Sequence, residues 1–307
     1  MSAAVHVVVV TYNSAAVLPG LLNSLEAGMA GVDDWTLHVA DNASHDDSVD
    51  LVELAWPRAE ICRLLHNRGY AAGINAALAG VDSQAYVLIL NPDVRLLPGS
   101  VAQMLQRVEP GSGILAPRML DERRQLVYSL YRRPTLLRAV GEGLLGGPRA
   151  GMHSSLGENV RSTAQYARSH VVEWATGAAF LITPECRAAV GRWDESFFLY
   201  SEETDYCLRA ADSGFTVKYL ADVSVIHLGG ESTTSPYLRS ILTYNRVRLY
   251  RKRHSGAATG LFYLAVVLGA AVRVARGSER DGAALRILLW PPARPSVLRN
   301  RNVSRVP

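Results

Sequence analysis

The stretch Tyr86-Val87-Leu88-Ile89-Leu90-Asn91-Pro92-Asp93 decides the reading of this chain. Five aliphatic or aromatic residues run straight into Asn-Pro-Asp, as in a strand buried on both faces. Pro92 has no N–H to give a central ladder, so the strand stops there. Asp93 is thereby set at the carboxyl end of a buried strand, the edge where open α/β sheets place ligands. A carboxylate on that edge suits a hard divalent cation held against a diphosphate. Taken alone, Asn-Pro-Asp reads better as an ordinary turn; the sequence on either side shifts the balance.

Upstream, Val5 to Val10 is a second apolar run, ended by Thr11-Tyr12-Asn13-Ser14. Leu18, Leu21, Leu22 and Leu25 then recur at helical spacing, with Pro19 in the first turn where it is tolerated. Trp35 to Ala40 reads as a strand ending in Asp41-Asn42-Ala43-Ser44, and Ser44 with Asp47 reads as a capping box for the next helix. Ile61 to Leu65 is a third strand, followed by Asn67-Arg68-Gly69-Tyr70 and a helix of small residues from about Ala71. Strand and helix alternate up to Asp93, which predicts a doubly wound, mostly parallel α/β sheet. All four strands end in polar residues, and polar groups gathered at successive strand ends describe a nucleotide-shaped crevice.

Downstream, Leu97 to Val108 reads as a helix and Gly113 to Leu120 as a strand. Residues 121–170 mix arginines, tyrosines and a Gly/Ser-rich piece, and read as a variable excursion near an acceptor or as a surface loop. Val171 to Ile182 is a strand broken by small residues at Thr176-Gly177-Ala178-Ala179, and Pro184 to Val190 is a short helix. Glu202, Glu203 and Asp205 crowd the start of a further helix. Acids favour a helix N-terminus, but three exceed what capping needs. Thr216 to Ala221 and Val223 to Ile226 read as two short strands, with His227-Leu228-Gly229-Gly230 closing the domain.

At 307 residues with 49% hydrophobic and 20% charged content, the chain can bury one large core plus an appendage. The net charge of +4 is a property of the tail: from Arg273 onward there are eight arginines against Glu279 and Asp281. That distribution speaks against nucleic acid as a partner of the folded part. Cys62, Cys186 and Cys207 are odd in number and widely spaced, which points to a reducing compartment rather than disulfides or zinc. The N-terminus has no basic region followed by a long apolar stretch, so no secretory signal is expected, and the two Asn-x-Ser sequons are chance matches.

Seven segments in order resemble glycosyltransferase family 2, and within it the bacterial rhamnosyltransferases, over roughly residues 5–254. They are Thr11-Tyr12-Asn13, Asp41 to Ser44, Asn67 to Asn75, Asn91-Pro92-Asp93, Trp174 to Ala178, Glu202 to Arg209, and His227. The resemblance implies a GT-A fold and an inverting transfer from a nucleoside diphosphate sugar, dTDP-β-L-rhamnose in that branch. It implies that Asp41 accepts a hydrogen bond from a pyrimidine and that Thr11, Tyr12 and Asn13 edge the base pocket. Arg68 and Asn91 would contact the nucleotide, and Thr176 and Gly177 would lie against the donor sugar. Asp93 would be the metal-binding end of an Asp-x-Asp motif in which Asn91 takes the first position, with His227 completing a Mg²⁺ or Mn²⁺ site. Glu203 falls at the position of the general base, usually Asp, with Glu202 and Asp205 as alternatives.

Beyond the expected catalytic domain of residues 1–230 lies a helical, basic extension, 231–307. Arg239 to Arg253 holds six basic residues and no acid, and Ala257 to Val272 has no charge at all. At about 16 residues that run is at or below spanning length. It reads as a helix lying on an anionic membrane surface, as a short spanning helix, or as a core or homodimer helix. The first reading places the protein in the cytoplasm, peripheral on the inner face of the cell membrane. The family implies a glycan or polyprenyl-diphosphate-linked acceptor there, in cell-envelope glycan assembly. Three functions compete with rhamnosyl transfer: hexosyl transfer from a UDP sugar, a catalytically silent GT-A scaffold at the membrane, and nucleotidyl transfer. The last lacks a Gly-rich basic loop, since Thr11 to Ser14 carries no cation.

Overall fold

The computed structural model of the chain describes residues 4–229 and 235–299. It opens as β1 (Val5–Thr11), α1 (Leu18–Gly28), β2 (Trp35–Asp41), α2 (Ser48–Ala55), β3 (Glu60–Arg63), α3 (Tyr70–Ala77) and β4 (Tyr86–Leu90). The four strands are parallel in the order β3-β2-β1-β4, as their alternation with helices predicts. The unbroken apolar runs are explained by burial on both faces. Val7 and Val9 of β1 pack with Leu18, Leu21 and Leu25 of α1, whereas Val8 and Val10 join Ala71 and Ile74 of α3 in a second core.

The chain continues through β5 (Val94–Leu96), α4 (Ser100–Leu105) and β6 (Ser112–Leu120) into an insert. The insert holds β7 (Leu130–Tyr131), α5 (Leu136–Leu145) and α6 (Gly147–Ala150), and leads to β8 (His170–Val172) and β9 (Trp174–Ala175). Then come β10 (Ala179–Ile182), α7 (Pro184–Val190), α8 (Glu202–Asp212) and β11 (Thr216–His227). β10 inserts antiparallel between β4 and β6, and β11 runs parallel to β6 with β5 antiparallel on its outer side. The sheet is therefore mixed, with a parallel half carrying the first four strand ends.

Four local expectations are corrected. Ser44 is not a helix cap: α2 begins at Ser48, and the Ser44 side chain is spent elsewhere. α4 is shorter than Leu97 to Val108 because Gly99, at φ +67°, forms a left-handed turn before it. The two strands expected between Thr216 and Ile226 are one strand, with a register shift against β6 between Leu220 and Ser224. Residues 121–170 are an ordered insert, whose β7 pairs with β9 and whose α5 packs on the C-terminal helices.

Those helices are α9 (Pro236–Arg253), α10 (Gly256–Ala275), α11 (Glu279–Leu289) and α12 (Ser296–Arg299). The expected boundary at Gly230 lies outside the described residues. α10 is half a core helix: Phe262, Ala265, Val266 and Ala270 are buried, and Ala139 of α5 and Tyr250 of α9 share their cluster. α5 and α10 cross at two glycines, where a Cβ on Gly143 would stand 3.0 Å from the Gly269 Cα. Below the crossing, Arg246 of α9 binds both Glu142 of α5 and Glu158 of the insert. Burial pushes the Glu158 carboxyl up to about 7 against the pull of Arg246, and Glu142 adds to the push. Removing a shared buried cation strands its partners. Arg246→Met is therefore expected to cost about 3–5 kcal/mol in urea unfolding, with a smaller loss below about pH 7, where Glu158 takes up a proton.

Candidate active site

The turn at the end of β4 is built by Asn91 and Asp93. The Asn91 amide donates to the Ala178 carbonyl (2.9 Å), and the Val94 amide donates to the Asn91 carbonyl (3.1 Å). Antiparallel pairing of β5 with β11 sets Val94 opposite His227, and this register brings Asp93 to His227. Asp93 Oδ2 lies 3.3 Å from His227 Nε2 and accepts from the Gly229 amide at 3.1 Å. Burial pushes the Asp93 carboxyl up, but the hydrogen bond and charge of His227 and the Gly229 amide outweigh it and hold the group below its ordinary value. An oxygen and a nitrogen 3.3 Å apart suit neighbouring positions around one small divalent cation. Diphosphate oxygens and water would fill the rest of such a shell. The donor set thus fits Mg²⁺ or Mn²⁺ as a two-residue site; among the described residues no third His, Cys, Asp or Glu joins it.

At the ends of β1 and β2, Asp41 is 4% exposed and organises its neighbours. Its Oδ1 accepts from the Thr11 hydroxyl (2.8 Å) and the Ser44 hydroxyl (2.5 Å), and its Oδ2 from the Ser44 amide (2.9 Å). Thr11 is fully buried and acts through Asp41 rather than facing the crevice itself, whereas Tyr12 is exposed. Asn13 adopts φ +49°, and its Oδ1 accepts from the His45 amide at 2.8 Å, which pins the Ala43–Asp46 turn. Asn42 ties this edge to the next one, accepting from the Arg68 amide (3.3 Å) and donating to the Gly69 carbonyl (3.1 Å). Gly69 sits at φ +91° against the Phe198 carbonyl, where no Cβ fits. The Arg68 side chain turns away to Glu195 (2.7 Å), in a cleft it shares with His66, Arg192 and Lys252.

Tyr200 and Ser201, both with positive φ, turn the chain into α8 and present its acids. The three acids have different surroundings. Asp205 is fully buried, with Oδ2 on Arg209 Nε (2.8 Å) and Oδ1 on Lys252 Nζ (2.8 Å), so it serves as an internal anchor. Glu202 is 3% exposed; burial and then the charge of Glu203 push it well above its ordinary value. Glu203 is less enclosed and is also pushed up by burial. It lies against Gly177, where an added Cβ would come within 2.9 Å of the Glu203 Cβ. Each glutamate keeps one buried carboxylate oxygen without a hydrogen-bond partner.

Tyr70 joins the two halves. Its hydroxyl donates to Asn91 Oδ1 at 2.7 Å, and burial, then the charges of Glu202, Glu203 and Asp93, push its pKa up. Tyr70 thus holds Asn91, the first residue of the turn that carries Asp93 and its partner His227, while Glu203 lies against Gly177. Asp41, Thr11 and Asn13 form the neighbouring strand ends, and Arg68 stands apart on Glu195. Sequence reasoning passed over Ser44 and Tyr70 as site residues. Tyr70 lies inside a quoted motif, and its place one residue after a strand-end glycine was the available signal.

Comparison with known proteins bears on the fold and the family. Residues 6–144 match the model of glycosyl transferase family 2. The N-acetylglucosaminyl-diphospho-decaprenol L-rhamnosyltransferase of Mycobacterium tuberculosis is 27% identical over 255 residues, 76% of this chain and 78% of its own. Rhamnosyltransferase WbbL of Escherichia coli is 24% identical over 64% of this chain and 77% of its own. Two solved structures share the fold. The mannosyltransferase PcManGT of Pyrobaculum calidifontis, in complex with GDP-Man and Mn²⁺, has a TM-score of 0.58 at 17% identity, covering 96% of this chain and 83% of that one. S. aureus TarS 1–349 has a TM-score of 0.54 at 17% identity, covering 93% and 90%. The architecture is GT-A, and over residues 6–144 the chain is similar to glycosyl transferase family 2.

Proposed function

We propose that the protein is an inverting glycosyltransferase that moves L-rhamnose from dTDP-β-L-rhamnose onto a lipid-linked glycan acceptor in cell-envelope glycan synthesis. The observation that carries this is Glu203, which lies against Gly177 and among the described residues has no ion pair, one of its buried carboxylate oxygens being without a hydrogen-bond partner. The rhamnosyl donor and lipid-linked acceptor are taken from the two bacterial relatives.

In this reading the donor's base lies along Tyr12, Asn13 and Asp41, with Thr11 holding Asp41 from behind, and its sugar lies over Thr176 and Gly177, where the missing side chain leaves room. Glu203 takes the proton of the acceptor hydroxyl, whose oxygen forms the new bond to the anomeric carbon from the side opposite the diphosphate. The old bond breaks with its electron pair on the departing diphosphate oxygen, so the configuration inverts. Mg²⁺ or Mn²⁺ held by Asp93 and His227 would supply positive charge to that leaving group. Asn91, fixed by Tyr70, keeps the turn that carries Asp93 in place. Asp205 cannot serve as base while Arg209 and Lys252 occupy it, and Glu202 is the more deeply buried member of the acidic pair, pushed well above its ordinary value by burial and then by Glu203.

The same reading puts the protein at the inner face of the membrane, with the helical extension resting on anionic lipid. Gly256–Ala275 is long and apolar enough to span, yet one side is packed into the protein. Its other side carries Leu261, Leu264 and Leu268, each more than half exposed. On α5, Leu137, Val140 and Leu144 are exposed with the same spacing, and both stripes flank the Gly143–Gly269 crossing. Exposed Arg251 and Arg276 stand beyond the two ends of α10, matching an anionic headgroup layer. Arg301 and Arg305 of the basic tail lie outside the described residues.

Four outcomes test this. Nucleoside diphosphate should be released from dTDP-rhamnose with a polyprenyl-diphosphate-linked acceptor, and Asp93→Ala should abolish it; release from a UDP sugar alone would discard the rhamnosyl donor. Glu203→Gln should lower turnover about 10²–10⁴-fold while Glu202→Gln, which mimics a neutral acid, stays within a few-fold. Because Glu203 must be ionised and burial raises it, kcat/KM should fall on acidification through a value above the usual ~4.3 of glutamate. Leu264→Glu with Leu268→Glu should release the protein from anionic vesicles in flotation assays and leave nucleotide affinity unchanged; retained flotation would reject the docking face.

A further inference from the structure

One face of α9 runs along the segment that leads into α8. Ile241, Asn245, Arg248 and Lys252 recur at helical spacing and so share that face. Phe198, Leu199 and Tyr200 pack against the cluster that holds Ile241. Asn245 Nδ2 donates to the Leu199 carbonyl (2.9 Å) and to the Tyr200 carbonyl (3.3 Å). Arg248 Nη1 donates to the Ser196 carbonyl (2.6 Å), and Lys252 Nζ meets Asp194 at 2.7 Å. The helix thus follows the stretch from Tyr200 back to Asp194, contact by contact.

Asn245 stands out in that row. It is fully buried in mid-helix, where an amide costs free energy unless its hydrogen bonds are made. Both bonds from its Nδ2 leave the helix for the backbone of the turn, and two carbonyl oxygens around one end of the amide fix that end as nitrogen. Those carbonyls flank the entry to a left-handed pair, Tyr200 at φ +66° and Ser201 at φ +75°. Neither is glycine, so the conformation has to be held by what surrounds it. The Ser201 carbonyl then accepts from the Asp205 amide (2.8 Å), which starts α8 and sets the direction of Glu202 and Glu203.

The same segment is held from its other side by the candidate active site. The Phe198 carbonyl accepts from the Tyr70 amide (2.8 Å), and the Tyr70 hydroxyl holds Asn91 at the start of the turn that carries Asp93. Asn91, Tyr70, Phe198 to Tyr200, and Asn245 therefore form one connected line from the Asp93 turn to α9.

We propose that Asn245 is a positioning residue for the transfer: by fixing the Tyr200–Ser201 turn it sets where Glu203 stands relative to Gly177 and the Asp93 turn. The inference rests on Glu203 as the base, proposed above. It gives the C-terminal extension a part in the geometry of the reaction in addition to its packing.

Full-length Asn245→Leu and Asn245→Ser would be compared with Tyr250→Leu, which loosens α9 on the side where Tyr250 stacks on Phe262 (3.9 Å). The Asn245 variants should lose about 10- to 100-fold in kcat, as for a displaced base, with acceptor KM and dTDP affinity within about two-fold. Tyr250→Leu should lower Tm and leave kcat within a few-fold. In Asn245→Ser alone the acid limb of kcat/KM should move toward the ordinary glutamate value, because a loosened turn admits water to Glu203. Amide hydrogen exchange across Ser201–Asp205, which needs no substrate, should quicken about 10-fold or more in the Asn245 variants only. Should Asn245→Leu fail to fold, Asn245→Ser, which keeps a small hydroxyl donor, carries the test. Unchanged kcat or unchanged exchange in a folded Asn245 variant overturns the assignment, as does a joint loss of kcat, dTDP affinity and Tm that Tyr250→Leu reproduces. If exchange quickens but Glu203→Gln keeps full turnover, the base reading fails and the support of the turn by Asn245 stands.

Discussion

Asp205, shut away from water between Arg209 of its own helix and Lys252 of α9, holds the placement of the acids in front of it. A buried carboxylate is tolerated only with its charge matched. Matching it here fastens the first turn of α8 to a helix from the far end of the chain, and Lys252 reaches Asp194 as well. Tyr200 and Ser201 are held with positive φ just before that turn, a backbone cost that packing on both sides can sustain. Glu202 and Glu203 are thus presented by a fixed support and not by a free loop.

Two carboxylates side by side at low polarity cannot both carry charge cheaply. The deeper one, Glu202, is pushed well above its ordinary value by burial and the charge of Glu203, and Glu203, next to Gly177, is pushed up by burial. On the other side of Tyr70, Asp93 is drawn the opposite way by His227 and the Gly229 amide. One edge of the sheet therefore holds a carboxylate kept ionised beside carboxyls whose protonation burial favours. This polarity suits a site where one oxygen loses a proton and another leaves with a pair of electrons.

Much of the parallel half was legible because β1 and β4 bury both faces and so read as unbroken apolar runs ended by polar residues. The Asp93–His227 pair was legible only through the family resemblance. Its physical cause is the β5–β11 register, a pairing of segments more than a hundred residues apart that no local pattern announces. Ser44 misled for a related reason: a serine after a strand reads as a cap, yet its hydroxyl is taken by a buried aspartate three residues earlier. The insert stayed unreadable because β7 and β9 are two residues each, too short for any periodicity. Asp205 could not be told from its two neighbours until Lys252 was seen beside it.

The glycine crossing of α5 over α10 has a consequence for how the chain can be divided. Two backbones in contact at Gly143 and Gly269 leave no solvent layer between insert and extension. The four-helix end is therefore a wall of the same building as the sheet, with Arg246 as a tie bar through it. A chain ended after β11 would bare the Ala139 side of α5 and leave Glu142 and Glu158 facing an empty seat. The extension is better regarded as the last shell of the catalytic body than as an anchor hung on it, and the two should be inherited, expressed and unfolded together.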